Sequence, residues 1–102
     1  MNAVVCASGS SPAFVYMFIE ALADGAVRCG MPRKQAYVFA AQAVKGSASM
    51  VLESGKHPGE LKDQVCSPAG TTIEGVAALE AAGVRNAVLK GCEAVYKKCT
   101  ES

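Results

Sequence analysis

The segment from residue 12 to residue 29 limits the possible folds of this chain more than any other segment, because very few of its side chains are polar. Its charged side chains, Glu20, Asp24 and Arg28, recur every four residues and therefore share one stripe of a helix. The remaining faces carry apolar or small side chains. A helix of this composition must be covered on most sides, either by the rest of its own domain or by a partner.

Glycine and proline divide the rest of the sequence into further helical segments. Proline favours the first turn of a helix and glycine the position just after its end, and no stretch shows the alternation of a β-strand. The fold class is therefore predicted to be all-α, with five helices joined by short loops. The predicted helices run from Ser11 (the N-cap, before Pro12) to about Cys29, from Pro32 to Ser54, from His57 to Val65, from Thr72 to Ala82, and from Arg85 to about Cys99.

The second predicted helix carries a stripe of small side chains, which would let another helix approach closely. The stripe consists of Ala36, Ala40, Ala43 and Ser47. Gly46 lies beside it and costs about 1 kcal/mol relative to Ala inside a helix, so close packing at this point would explain it.

Two shorter segments have ordinary structural interpretations. Residues 8–11 (Ser-Gly-Ser-Ser) are predicted to form a loop before the first helix. His57, the one histidine, precedes a proline and is interpreted as a helix-start residue rather than a base or a ligand. Leu61 and Val65 follow four residues apart and are predicted to face inward.

Charge and hydropathy limit the classes of partner. The 102 residues suit one domain, and the ten basic and nine acidic side chains are scattered singly, for a net charge of +1. No basic patch is available for nucleic acid or for an anionic membrane surface. The apolar run at residues 13–19 is too short to span a bilayer, and no charged segment marks a signal peptide. We therefore expect a soluble protein without nucleic-acid or membrane partners.

The cysteines are predicted to be reduced thiols. There are five, at positions 6, 29, 66, 92 and 99, and none has C-x-x-C spacing. With a single histidine and no finger-like spacing, no metal site is predicted. Cys92 and Cys99, seven residues apart on one helical face, are interpreted as small core residues.

Residues 63–74 contain the strongest candidate for a functional site. A short helix ends at Cys66, a Ser-Pro-Ala-Gly turn follows, and a new helix begins at two threonines. Thr71 and Glu74 have the T-x-x-E spacing of a capping box, and Gly70 would allow a close approach or a positive φ. Amides at such a helix start favour an anion. An ordinary loop and cap is the alternative that the pattern leaves open.

Three ordered motifs resemble those of pyrroline-5-carboxylate reductases. They are Ser8-Gly9-Ser10-Ser11-Pro12-Ala13-Phe14, His57-Pro58-Gly59-Glu60-Leu61-Lys62-Asp63 and Asp63-Gln64-Val65-Cys66-Ser67-Pro68-Ala69-Gly70-Thr71-Thr72-Ile73-Glu74-Gly75. The similarity extends from Ala3 to about Lys98. Ser11 and Ala69 stand where many members of that family have Gly. The family reduces 1-pyrroline-5-carboxylate to L-proline with NADPH or NADH, and its chains join an N-terminal Rossmann domain to a C-terminal helical domain.

The resemblance implies that residues 1–102 are the dimerisation and substrate-binding domain of a cytoplasmic enzyme of proline biosynthesis. The implied fold is like the C-terminal domain of 6-phosphogluconate dehydrogenases, in an intertwined homodimer, with higher assembly left open. Ser67 and the amides of Gly70 and Thr71 would hold the substrate carboxylate, and the Thr72 hydroxyl, the catalytic group, would bond the ring nitrogen. NADPH or NADH would bind mainly to a Rossmann domain outside this segment, which alone is expected to be inactive. The alternative function is a non-catalytic helical homodimerisation module.

Overall fold

The computed structural model describes residues 2–101, and it confirms the all-α class. The described part of the chain contains no strand, and each of the five predicted helices is present within two residues of its expected bounds. A short additional helical segment precedes them. In order, the elements are α1 Asn2–Val4, a π-helix Val5–Gly9, α2 Ser11–Arg28, α3 Arg33–Ser54, α4 Pro58–Val65, α5 Thr71–Ala82 and α6 Val84–Glu101.

The predicted loop at residues 8–11 is wrong, and so is the predicted N-cap at Ser11. The chain is already helical before α2, so no free amides at this point require a cap. The hydroxyls of Ser8 and Ser11 instead donate to the carbonyls four residues back, at 3.0 and 2.8 Å. The Ser10 amide donates to the Val5 carbonyl at 2.7 Å, a bond across five residues that defines a π-helical turn.

The chain divides into two compact units, the first of which runs to Ala41 and resumes at Arg85. Its core is three alanines: Ala23 of α2 with Ala36 and Ala40 of α3. Four partly buried side chains pack against them, namely Ile19, Ala26, Val27 and Met31. The first half of the predicted small-residue stripe therefore does form a close helix crossing, as expected of side chains that end at Cβ.

Helix α6 meets α2 in the same unit through a contact that the sequence analysis missed. A Cβ added to Gly91 of α6 would lie 3.3 Å from Cζ of Phe14 in α2. The phenyl ring thus fills the space that a side chain at position 91 would need. Cys92 and Cys99, the predicted core residues of α6, are half-buried.

An ion pair joins α2 to the start of α3. The Arg33 guanidinium donates to the Asp24 carboxylate, and its Cζ lies 5.9 Å from the centre of the Tyr37 ring. The hydrogen bond to Asp24 raises the pKa of Arg33 above its ordinary value. Because both side chains are more than half exposed, solvent screens this pair and its contribution to stability is small.

The second unit, Gln42–Val84, contains the rest of α3 together with α4 and α5. His57 is the N-cap of α4, and its Nδ1 accepts from the Gly59 amide at 2.9 Å, which confirms the interpretation as a helix-start residue. Between α3 and α4 lies an open apolar groove of about 640 Å³. Leu61 and Val65 both line it, but only Leu61 is half-buried; Val65 is exposed. Nothing lies within 4 Å of a Cβ added to Gly46, so packing within this chain does not explain that glycine.

Most of the large apolar side chains in the described residues are not covered by their own chain. The accessible surface is 7784 Å² for 10.5 kDa, whereas a folded monomer of that mass exposes about 5,400 Å². The excess is about 2,400 Å², and many large apolar side chains are exposed. On α2 alone the exposed set is Val15, Tyr16, Met17, Phe18 and Leu22. The rest of residues 2–101 therefore does not supply the cover that this helix needs.

The same exposure bears on the membrane prediction. The π-helix and α2 form one candidate membrane-spanning helix, Val5–Arg28, that is long and apolar enough by length and composition, and its most apolar 18-residue window has no buried residue. The apolar run at residues 13–19 is therefore one part of a longer apolar helix. One such helix near the N-terminus is weak evidence for a membrane span, since the core helix of a soluble protein meets the same criteria.

Candidate functional site

The turn between α4 and α5 has the features of a type II β-turn. The Gly70 amide donates to the Ser67 carbonyl at 3.1 Å, which closes the four-residue turn. Pro68 holds the second position, and Ala69 holds the third with a φ of 59°. A type II turn requires a positive φ at its third position, where glycine is the usual residue. Ala69 is the one non-glycine residue with a positive φ among residues 2–101.

Position 70 requires glycine because Ser67 lies very close to it, and not because of the φ at this position. Its φ is −82° and its ψ is 175°, values open to any L-residue. A Cβ at this position, however, would lie 2.5 Å from the Ser67 Oγ and 3.2 Å from the Ser67 carbonyl oxygen. Of the two roles predicted for Gly70, the close approach is confirmed, while the positive φ falls on Ala69. The Ser67 hydroxyl therefore lies directly over the glycine that begins the next helix.

The predicted capping box does not form, because the helix begins one residue earlier than expected. Gly70 takes the N-cap position in the extended conformation that a cap requires, and no side chain caps the helix. Thr71 and Thr72 are consequently the first and second helical residues. The first amides of a helix have no partner in the preceding turn. The amides at the start of α5 are therefore left to other acceptors, where the helix dipole favours negative charge.

The structure brings the four predicted site residues, Ser67, Gly70, Thr71 and Thr72, together within one turn and the first helical turn. Ser67 and both threonines are exposed, and Gly70 is half-buried. The Gly70 amide is already used inside the turn. The donors that remain for an anion are the hydroxyls of Ser67, Thr71 and Thr72 and the first helical amides, those of Thr71, Thr72 and Ile73.

The described residues supply no metal cluster and no dinucleotide-binding motif. No group of three or more His, Cys, Asp or Glu side chains converges in the part of the chain that the structure covers. All five cysteines have free thiols, and the His57 ring is engaged as a cap. A glycine-rich dinucleotide motif connects a strand to a helix, and residues 2–101 contain no strand. Residues 2–101 therefore do not contain this motif.

Comparison with known proteins shows that the chain is similar to pyrroline-5-carboxylate reductases. The family described as pyrroline-5-carboxylate reductase dimerisation matches residues 1–102. The pyrroline-5-carboxylate reductase of Escherichia coli (strain K12) is 63% identical over 101 residues, which is 99% of this chain and 36% of that protein. The reductase of Methanosarcina acetivorans is 59% identical over 97 residues, 91% of this chain and 36% of that protein. The chain thus spans just over a third of the length of these relatives.

Solved structures give the same result. The 1-pyrroline-5-carboxylate reductase of Streptococcus pyogenes superposes with a TM-score of 0.96 at 37% identity, covering 99% of this chain and 39% of that one. A pyrroline carboxylate reductase of Plasmodium falciparum, solved with NADP bound, has a TM-score of 0.91 at 37% identity. It covers 96% of this chain and 37% of that one.

Proposed function

This chain belongs to the pyrroline-5-carboxylate reductase dimerisation family, and on that premise we propose that it is the substrate-binding and dimer-forming part of an enzyme that makes L-proline. The proposed reaction is the reduction of 1-pyrroline-5-carboxylate with NADPH or NADH, in the cytoplasm. The observation that carries the proposal is the turn before α5, where a hydroxyl and unpartnered amides converge at a helix start.

The proposed role of this turn is to hold the substrate carboxylate. The Ser67 hydroxyl and the Thr71 amide would donate to it, joined by the Thr72 amide in place of the Gly70 amide, which the turn itself uses. Gly70 contributes by having no side chain, since a Cβ would displace the Ser67 Oγ at 2.5 Å. Hydrogen bonds to a charged acceptor contribute about 1.5–3 kcal/mol each, so two or three of them would fix the orientation of the small ring.

Thr72 is the proposed catalytic residue, through a hydrogen bond from its hydroxyl to the ring nitrogen. It is the second residue of α5 and is exposed, so its side chain is available to a ligand held at the helix start. An aliphatic hydroxyl does not ionise near neutral pH. Its role would be to orient the imine and to stabilise charge at nitrogen as reduction proceeds, rather than to titrate.

The nicotinamide cofactor would be held outside residues 2–101, whose all-helical structure lacks a dinucleotide motif. The relative from Plasmodium falciparum, of which this chain matches 37%, was solved with NADP bound. The expectation that this segment alone is inactive follows from the same division of roles. Its contribution to rate would be positioning the substrate.

The proposed partner is a second copy of the chain, in an intertwined homodimer. An excess surface of about 2,400 Å² over a folded monomer exceeds the area of about 800 Å² per partner that a stable interface needs. The exposed apolar side chains of α2 supply much of it. No nucleic-acid or membrane partner is proposed.

The experiment is a steady-state assay of the full-length protein with 1-pyrroline-5-carboxylate and NADPH or NADH. We expect Thr72→Ala to lower kcat about tenfold to a hundredfold, which corresponds to about 1.4–2.8 kcal/mol, while Thr72→Ser retains most of the rate because it keeps the hydroxyl. Unchanged kcat and KM in Thr72→Ala would remove Thr72 from the mechanism. Absence of NAD(P)H oxidation by the unaltered protein would refute the proposed reaction. The non-catalytic dimerisation module would then be favoured, and crystals soaked in L-proline would show no ligand at the Thr71 amide.

A further inference from the structure

The thiol of Cys6 reaches the backbone of another cysteine, Cys92, which is 86 positions away in the sequence and in the same unit. The Sγ of Cys6 donates to the main-chain carbonyl of Cys92 at 3.2 Å. Cys6 lies in the π-helix Val5–Gly9 and Cys92 in α6. Both side chains are half-buried, and neither is in a disulfide. The segment that precedes α2 is thus held against α6 by a weak bond from a reactive group.

The hydrogen bond limits how far apart the two residues can be. Ordinary covalent geometry limits the separation of the two Cα atoms to at most about 8 Å when Cys6 Sγ is 3.2 Å from the Cys92 oxygen. The angles at the thiol donor and the carbonyl acceptor are bent, which shortens the Cα–Cα separation toward the range of about 4.4–6.8 Å that is usual in disulfides. A disulfide would then require rotation of χ1 between staggered wells, so that the two sulfurs face each other. From this geometry we propose that Cys6 and Cys92 form an intrachain disulfide when the protein meets hydrogen peroxide.

Two of the other thiols are too far away to compete. Cys99 is seven residues beyond Cys92 on the same helix, about 10 Å along its axis. Cys29 follows the end of the helical run that contains Cys6, 23 residues farther along and therefore about 30 Å away. Neither distance allows a disulfide without unfolding the helix concerned.

The reaction balances with hydrogen peroxide as the oxidant. One thiolate attacks a peroxide oxygen, the O–O bond breaks, and a sulfenic acid forms with release of water. The second thiol attacks the sulfenic sulfur, the S–S bond forms, and a second water leaves. Two thiols together lose two electrons and two protons, and one peroxide is reduced to two waters. A thiol reductant reduces the disulfide back to two thiols.

Peptide mapping of the full-length protein tests the proposal without ambiguity. Trypsin cleaves after Arg28, Lys90 and Lys97. Cys92 therefore falls in the peptide 91–97, where it is the one cysteine, and Cys6 falls in the peptide that ends at Arg28, where it is the one cysteine among residues 1–28. After treatment with hydrogen peroxide and digestion without reductant, we expect these two peptides to be linked, with a mass two hydrogens below their sum. The oxidised chain should keep its monomer mobility in a non-reducing gel, and dithiothreitol should separate the peptides.

Matched variants complete the test. Cys6→Ser keeps a donor for the Cys92 carbonyl and should abolish the link, and Cys92→Ala should do the same; Cys29→Ser should leave it unchanged. The proposal is overturned if peroxide leaves both peptides unlinked in folded protein, if Cys6 is found joined to any other cysteine, or if the link joins two chains. Circular dichroism establishes whether each variant is folded. If one of Cys6→Ser and Cys92→Ala does not fold, the loss of the link in the other variant is enough to test the proposal.

Discussion

Replacing Ala69 with Gly is expected to stabilise the protein, although the same change inside a helix does the opposite. Ala69 is held at a φ of 59° by the turn that precedes α5. The left-handed conformation costs an L-residue about 1–2 kcal/mol, a cost that glycine does not have. Glycine in turn gives the unfolded chain more freedom, which costs about 0.4–1 kcal/mol. The mid-values of these two ranges differ by about 0.8 kcal/mol, which is the net stabilisation predicted for Ala69→Gly.

The matched control is Ala78→Gly in the middle of α5, where the backbone is helical and glycine should destabilise by about 0.5–1 kcal/mol. The measurement is equilibrium unfolding in urea, with all variants at one protein concentration because the midpoint of an associating protein depends on concentration. We expect the two variants to move the urea midpoint in opposite directions. If Ala69→Gly lowers stability as much as Ala78→Gly does, the strain assigned to position 69 is absent and the reasoning is refuted.

Three other expectations concern the cap, the turn and the partner. His57→Ala should lower the free energy of unfolding in urea by about 1 kcal/mol, because the Gly59 amide loses its acceptor. His57→Asn should lose much less, because asparagine is a good N-cap. Equal losses in the two variants would contradict the capping role. Gly70→Ala should raise the KM for the carboxylate substrate in the full-length enzyme about tenfold by displacing the Ser67 hydroxyl, and an unchanged KM would argue against a substrate contact there. The isolated chain should sediment as a dimer at micromolar concentration, and a stable monomer would exclude the proposed partner.

The helices could be predicted because their ends are encoded locally. Gly55 and Gly83 both have positive φ at the ends of α3 and α5, as a glycine after a helix usually does. His57 before a proline likewise marks the start of α4 in the sequence itself. The resemblance to a reductase family rested on motifs of this local kind, and the comparisons confirm that family.

The failures arose where a local pattern had two structural solutions. Thr71 and Gly70 could each have been the N-cap of α5, and the choice depends on the backbone ψ of Gly70, which the turn sets. Residues 8–11 have the composition of a loop, but the carbonyls of the preceding turn are available to their hydroxyls, so the helix continues. The contact of Gly91 with Phe14 joins distant parts of the chain, and no pattern in one sequence indicates it. The roles of Ser67, Gly70, Thr71 and Thr72 in binding and catalysis stay predictions.

The three-alanine core has a consequence for how substitutions act in the proposed dimer. With so little buried within one chain, most of the stabilising apolar contacts would lie in a surface that pairs with its own copy. A two-fold interface presents each residue twice, so every substitution enters the assembly twice. A change worth about 1 kcal/mol at one copy is therefore expected to cost the homodimer about 2 kcal/mol, while a mixed dimer of altered and unaltered chains bears half of that. When altered and unaltered chains are present in one cell, the mixed dimer is therefore expected to be more stable than the dimer of two altered chains.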